Sequence, residues 1–326
     1  MPSRKIEQQL DALSVLRAQG PTEPAITALR NALTSPTNLV IAKAAAIAAD
    51  LAFHPLLPDL CAAFHRLFDN ATRTDPQCWG KNGIAKALKD LGHSESNEFL
   101  CGLHHVQMES VWGGQQDTAA VLRGTCALAL VQCTDITKRD TLRHLIDLFA
   151  DPFATVRTDI ARALEQLAGH EAALLLRLKA RIGDQDSAVT GQVLESLLSL
   201  EQHTAVAFVA EFLCARGEVA EEAALALGAS RLPAAFEILK QTWMESRMLV
   251  PKDILLRAIS SSRQECAIQF LLDLVRAGRE RESVDAIAAL ELHRGSAEIR
   301  DRLTATVVSR QEVAIQEKFR QFLREA

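Results

Sequence analysis

Tyrosine is absent from this 326-residue sequence, and aromatic residues of all kinds make up only 5% of it, whereas hydrophobic residues make up 48%. Any core is therefore aliphatic. Glycine (15) and proline (10) are scarce, and β-branched runs bounded by turn residues hardly occur. That combination favours helices throughout, and no strands are expected. There is no excess of positive charge: the formal net charge is −5 and the pI near 6.0. Nothing in this balance draws the chain to phosphate backbones or anionic lipid, so neither nucleic acid nor membrane is an expected partner. No uncharged apolar run approaches the roughly 18 residues a membrane span needs. The opening MPSRKIEQQLDAL also lacks the apolar segment of a secretory leader, and a cytoplasmic location is expected. The seven cysteines (61, 78, 101, 126, 133, 214, 266) contain no CxxC pair. Most sit in apolar helical patterns, where a reduced thiol behaves as a small hydrophobe, so they are expected to be free, with no metal and no cofactor.

What is present is a recurring phrase, an Asp, often followed by Pro, then an amphipathic stretch ending in an apolar pair. It reads DPQCWGKNGIAKAL at 75–88, DTAAVLRGTCALAL at 117–130, DPFATVRTDIARAL at 151–164 and DQDSAVTGQVLESL at 184–197. In all four the Asp precedes the final Leu by 13 positions. Looser endings follow at Leu227, Ile259 and Leu290, and an early version runs from Asn38 to Leu51. Successive endings lie 37, 42, 34, 33, 30, 32 and 31 residues apart, the period of a two-helix repeat. Asp at the start of a helix satisfies first-turn amides, and Pro in the first turn sacrifices no hydrogen bond, so the phrase marks where each second helix begins. Val156, Ile160, Ala163, Leu164 and Leu167 fall on one face, with Ala allowing close approach. Between the phrases lie first helices such as HPLLPDLCAAFHRLF and AIQFLLDLVRAG. A single pair cannot bury its own stripe, so the pairs must stack. The expected fold is an all-α, right-handed solenoid of about eight pairs filling residues 1–326 as one domain. Residues 1–22 form an N-terminal capping helix stopped by Gly20, and 294–326 form C-terminal caps.

The D-P-x-x-x-V-R-x-x-(I/A)-A-x-A-L phrase, fullest at 151–164, resembles the HEAT-repeat family, in particular the bacterial HEAT-like repeats of the phycobilisome-lyase type. The likeness spans nearly the whole chain and implies a fold rather than an activity, because that shape hosts scaffolds, adaptors and a few enzymes. It also implies that second helices line a concave surface. Lys81, Arg123 and Arg157 each stand seven residues before the anchor Leu. They form either a ladder in which each pairs with an Asp of its own or the next repeat, such as Asp117 or Asp151, or an anion-binding stripe.

The 42-residue interval contains GLHHVQMESVWGGQQDTAAVLRG at 102–124, which resembles a stretch found in bacterial HEAT-repeat proteins. Insertions in solenoids commonly form rim loops, and such loops are often where binding occurs. This one holds His105, Gln107, Glu109, Trp112 and the pair Gly113-Gly114, suited to positive φ. Three readings stand. It is a long turn with Trp112 folded back as a plug, a recognition loop with Trp112 as anchor, or a catalytic or metal site. For the last, only Glu109, four residues from His105, completes any set around His104 or His105.

Enzymes of the same shape find little to match. The family of deoxyhypusine hydroxylases needs several His-Glu pairs, and one is present, His170-Glu171. HEAT-like DNA glycosylases need a basic, aromatic groove, against three Trp and an acidic balance. No GxSxG elbow or phosphate loop occurs, and Cys78 is the one thiol that a helix N-terminus could activate. The chain is therefore expected to be a non-catalytic scaffold or adaptor that binds a protein or peptide partner through its concave face and the 102–117 loop. The alternatives are a regulatory or lyase-like subunit of a larger enzyme, or an autonomous enzyme built on His105, Glu109 and Cys78. Oligomeric state is left open.

Overall fold

The structure, a computed structural model, describes residues 2–20, 22–245 and 249–324. These fall into two compact units, residues 1–167 and 168–326. Each is an all-α solenoid of stacked helix pairs, and no helix of the described residues is long and apolar enough to cross a membrane.

In the first unit α1 (Pro2–Gln19) precedes the pairs, ending at Gly20, whose φ is 73°. Four pairs follow. They are α2 (Glu23–Leu33) with α3 (Asn38–Asp50), α4 (Leu57–Arg66) with α6 (Trp79–Asp90) after the short α5 (Ala71–Thr74), α7 (Ser96–Leu103) with α8 (Ala120–Leu130), and α9 (Lys138–Asp147) with α10 (Ala154–Leu167). The second helices α3, α6, α8 and α10 pack in sequence on one another, and α2, α4 and α7 form a parallel row of first helices.

The second unit repeats the arrangement. Its pairs are α11 (His170–Ile182) with α12 (Ser187–Glu201), α13 (His203–Ala210) with α14 (Glu218–Ala229), α15 (Pro233–Met244) with α16 (Lys252–Ser261), and α17 (Glu265–Ala277) with α18 (Glu280–Leu290). It closes with α19 (Ala297–Val307) and α20 (Val313–Arg324). Again the second helices, α12 through α20 in even steps, stack sequentially.

The anchor positions explain why the period holds. Leu88, Leu130, Leu164, Leu197, Leu227, Ile259 and Leu290 are all fully buried, each stabilising the stack by about 2 kcal/mol. Leu51, at the end of the first phrase, is only half-buried at the C-cap of α3. Small residues bring second helices together: a Cβ on Gly83 of α6 would lie 2.9 Å from Ala42 Cα of α3.

Two expectations are corrected. The helices do not begin directly after the Asp of each phrase: they start four residues after Asp75 and three after Asp117, Asp151 and Asp184. The carboxylate instead reaches across a short turn, as Asp75 does to accept the amides of Gly80 (2.7 Å) and Lys81 (2.9 Å). In the fourth phrase Asp186 is the cap, accepting from the Ala188 amide at 3.0 Å. The chain also contains strands. The 102–124 segment forms an antiparallel hairpin of β1 (Met108–Val111) and β2 (Gly114–Asp117), with Met108 opposite Asp117 and Val111 opposite Gly114. Trp112 and Gly113 make the turn, where φ is 91° at Gly113 and 156° at Gly114; only glycine takes both values without strain.

Candidate functional site

A two-stranded hairpin is marginal in water by itself, so β1-β2 owes its order to what holds its base. Gln107, nearly buried, is the hub. Its side-chain amide donates to the Asp75 carbonyl (2.9 Å) and to Glu109 Oε1 (2.6 Å), and its Oε1 accepts from His105 Nε2 (3.1 Å). That bond assigns the His105 proton to Nε2, and burial lowers the ring's pKa. Phe68 packs edge-on against the same ring. The Gln107 amide donates to Asp117 Oδ1 (3.0 Å), and its carbonyl accepts from the Thr118 amide (2.9 Å).

Glu109 ties the hairpin to the turn before α6. Its carboxylate accepts from the Gln77 amide (2.7 Å), Gln77 Nε2 (3.1 Å) and Thr118 Oγ1 (2.8 Å), besides Gln107. Burial works against the charge, but the hydrogen bonds from Gln107, Thr118 and Gln77 outweigh it and hold this carboxyl below its ordinary range. Gln77 (φ 62°) and Cys78 (φ 55°) are consecutive left-handed residues, a conformation costing about 1–3 kcal/mol per residue. The Glu109 clasp holds the first of them.

The cations named in the sequence are engaged within the stack. Lys81 is wholly buried, its Nζ 3.1 Å from Asp75 Oδ2 and 3.2 Å from the Leu67 carbonyl. Arg123, 3% exposed, donates from Nε and Nη2 to the two oxygens of Asp151 (2.7 and 3.2 Å), and from Nη1 to Asp117 Oδ2 (2.7 Å) and the His105 carbonyl (2.9 Å). Arg157, half-buried, donates to the carbonyls of Asp151 (2.7 Å) and Pro152 (3.1 Å). Lys81 and Arg123 thus offer no stripe of free charge, because the phrase's own aspartates and carbonyls use their donors. Burial raises the Asp117 pKa, but the amides of Gln107 and Ala119 together with Arg123 overcome this and depress it.

Trp112 is not folded back: it is fully exposed at the hairpin tip. Val106, Met108 and Val111 are exposed as well. Residues 107 and 109 turn toward the α6 entrance, whereas Val106 and Met108 border a groove of about 520 Å³. Leu103, Leu148, Pro152 and Phe153 line its apolar wall, and His104, Gln115 and Gln116 its polar one.

Cys78 is corrected too. Its thiol is buried, 3.7 Å from Thr118 Oγ1, and burial pushes its pKa up to about 11 despite nearby Lys81. Together with the saturated Glu109 carboxylate, this leaves His105, Glu109 and Cys78 adjacent but without a free nucleophile or base. Sequence reasoning missed the residues that anchor the hairpin base, namely Asp75, Gln77 and Thr118. It also missed a second cluster: Cys61, His93 and Glu98 are, among the described residues, a group whose ligand atoms all lie within 4.8 Å of one another. Cys61 and His65, four apart on α4, were its one local signal.

No family model matches the sequence, and no curated protein matches it. Among solved structures, the chain is similar to the complex of CpcE and CpcF of the phycocyanin lyase of a Nostoc species, with 18% identity, 80% of this chain and 94% of that one covered, and a TM-score of 0.38. It is also similar to human deoxyhypusine hydroxylase in complex with glycerol (21% identity, 78% and 90% covered, TM-score 0.31) and to an engineered protein (15%, 90% and 96%, TM-score 0.21). Likeness at this level carries no statement of what the chain binds or does.

Proposed function

We propose that the chain is a non-catalytic protein-binding scaffold or adaptor that seats an apolar segment of a partner protein against the β1-β2 hairpin. The observation that carries this reading is Trp112, fully exposed at the tip of a hairpin whose base is locked. A large indole held in water has no folding role to repay its exposure, whereas a rigid aromatic is the side chain that binding interfaces use as an anchor. Gly113 and Gly114 shape the turn that presents it. His105, Gln107 and Glu109, backed by Lys81, Arg123 and Arg157, keep the presenting strands fixed, so little ordering entropy is lost on binding. The groove bordered by Val106, Met108, Leu148 and Phe153 suits one or two apolar side chains of the partner.

The test is affinity capture from the source cells with wild type and Trp112→Ala in parallel. A protein retained by wild type and lost with the variant, at unchanged melting temperature, supports the reading. Identical captured sets remove the hairpin from consideration.

A further inference from the structure

Cys61 lies on α4, His93 in the turn after α6, and Glu98 in the first turn of α7. Three elements thus deliver a thiol, an imidazole and a carboxylate to one point. Cys61 Sγ stands 3.9 Å from His93 Nε2, and His93 Nε2 stands 3.0 Å from Glu98 Oε2. Metal–ligand lengths for a tetrahedral zinc site imply ligand separations of roughly 3.4–3.6 Å, so the two observed gaps bracket the required value. Small side-chain rotations would close them.

The surroundings are arranged as a metal site requires. Glu98 is buried and His93 nearly so. The His93 ring rests edge-on against Phe99 at 5.8 Å, and its backbone amide is held by the Leu88 carbonyl at 2.9 Å. The second carboxylate oxygen, Glu98 Oε1, accepts from His65 Nε2 at 3.0 Å, leaving Oε2 facing the thiol. An outer imidazole on a ligating carboxylate is the partner that fixes such ligands. If the cluster served only to satisfy Glu98, the two histidines would suffice; the Cys61 thiol contributes nothing to that task.

We propose that Cys61, His93 and Glu98 bind a single divalent cation of the zinc class, with His65 as a positioning residue on Glu98 and a fourth position open to water. A thiolate–imidazole–carboxylate set selects zinc or cobalt over magnesium and calcium. On binding, the Cys61 thiol gives its proton to solvent, the His93 proton moves from Nε2 to Nδ1, and the metal takes the place of the His93–Glu98 hydrogen bond. The site shares no residue with the hairpin and stands or falls separately from the scaffold reading.

Cobalt(II) added to the full-length, metal-free protein tests it. The expected result is one equivalent bound with tetrahedral d–d bands and a near-ultraviolet thiolate-to-cobalt charge-transfer band. The band is kept in Cys101→Ser/Cys214→Ser/Cys266→Ser, which removes the exposed thiols, and is lost in Cys61→Ser. His65→Gln weakens binding about 10- to 100-fold without abolishing the band. A spectrum without charge transfer in the wild-type protein, or a band that disappears with the exposed thiols, overturns the site. Should Cys61→Ser not fold, the triple variant and His93→Gln decide by the same band, which His93→Gln must shift or lose.

Discussion

Arg123 grips Asp151 with two hydrogen bonds, Nε to Oδ2 at 2.7 Å and Nη2 to Oδ1 at 3.2 Å, and so joins the second helix of one repeat to the residue that opens the next phrase. The same guanidinium holds Asp117 of its own phrase. Asn38 does comparable work one step earlier, donating to Asp75 Oδ1 (2.9 Å) and the Pro76 carbonyl (2.8 Å). The polar residues of the phrase are therefore rivets between repeats as much as helix starters.

Removing the Arg123 cation leaves two buried carboxylates without it. Arg123→Ala is expected to cost about 3–5 kcal/mol, the range for breaking a buried ion pair from one side. Urea denaturation followed by helix signal measures it, and a loss under about 1 kcal/mol, the value of an exposed pair, would contradict the buried assignment.

Glu109 gives a pH dependence of known sign. Its carboxyl is held below the ordinary range in the folded chain, so the stabilisation is complete above the unfolded value of about 4.3 and is lost as pH falls through the folded value. The stability difference between wild type and Glu109→Gln should stay constant from neutral pH down to about 5 and then shrink in more acid solution. A difference that grows on acidification would reverse the sign and refute the clasp. Asp117 shifts in the same direction and is common to both proteins, so it cancels in the comparison.

Close packing of α3 on α6 is tested at Gly83. Gly83→Ala places a Cβ 2.9 Å from Ala42 Cα and Cβ and is expected to destabilise by about 1–3 kcal/mol through overpacking, in spite of alanine's higher helix propensity. A stabilised variant, seen as a raised melting temperature, would mean the helices stand further apart.

Thiol reactivity separates the cysteines. With a mild alkylator at neutral pH, Cys101, Cys214 and Cys266, which are exposed, should be modified first, while buried Cys78 and Cys126 are protected. Mass mapping checks this; rapid labelling of Cys78 in the folded protein would revive it as a nucleophile.

The sequence was informative wherever a residue's role repeats. Leu88, Leu130, Leu164 and Leu197 stand 13 residues after an Asp, and all four are fully buried. Hydrophobic burial at helical spacing is a local signal, and so the helix pairs were legible. The exact capping register was not, because Asp75 reaches Gly80 and Lys81 across left-handed Gln77 and Cys78, a backbone path that composition does not encode. Nor was the hairpin: four-residue strands such as MESV carry almost no periodicity, and the bonds that order them run to residues some 30 positions away, Asp75 and Gln77. The Cys61, His93 and Glu98 cluster is illegible for a related reason. Its members come from two successive repeats and meet only because α4 stacks on α7. Reading across the repeat period, 32 residues from Cys61 to His93, was the signal that could have found them.

The scaffold account rests on Trp112 being the point of contact with a partner, and site-specific photocrosslinking tests that directly. A photoreactive phenylalanine analogue is placed at Trp112 and, for comparison, at the exposed Val308, and irradiated in the source cells. The account predicts a discrete crosslinked protein from position 112 that is absent from position 308. The same products from both positions, or none from 112, would contradict it.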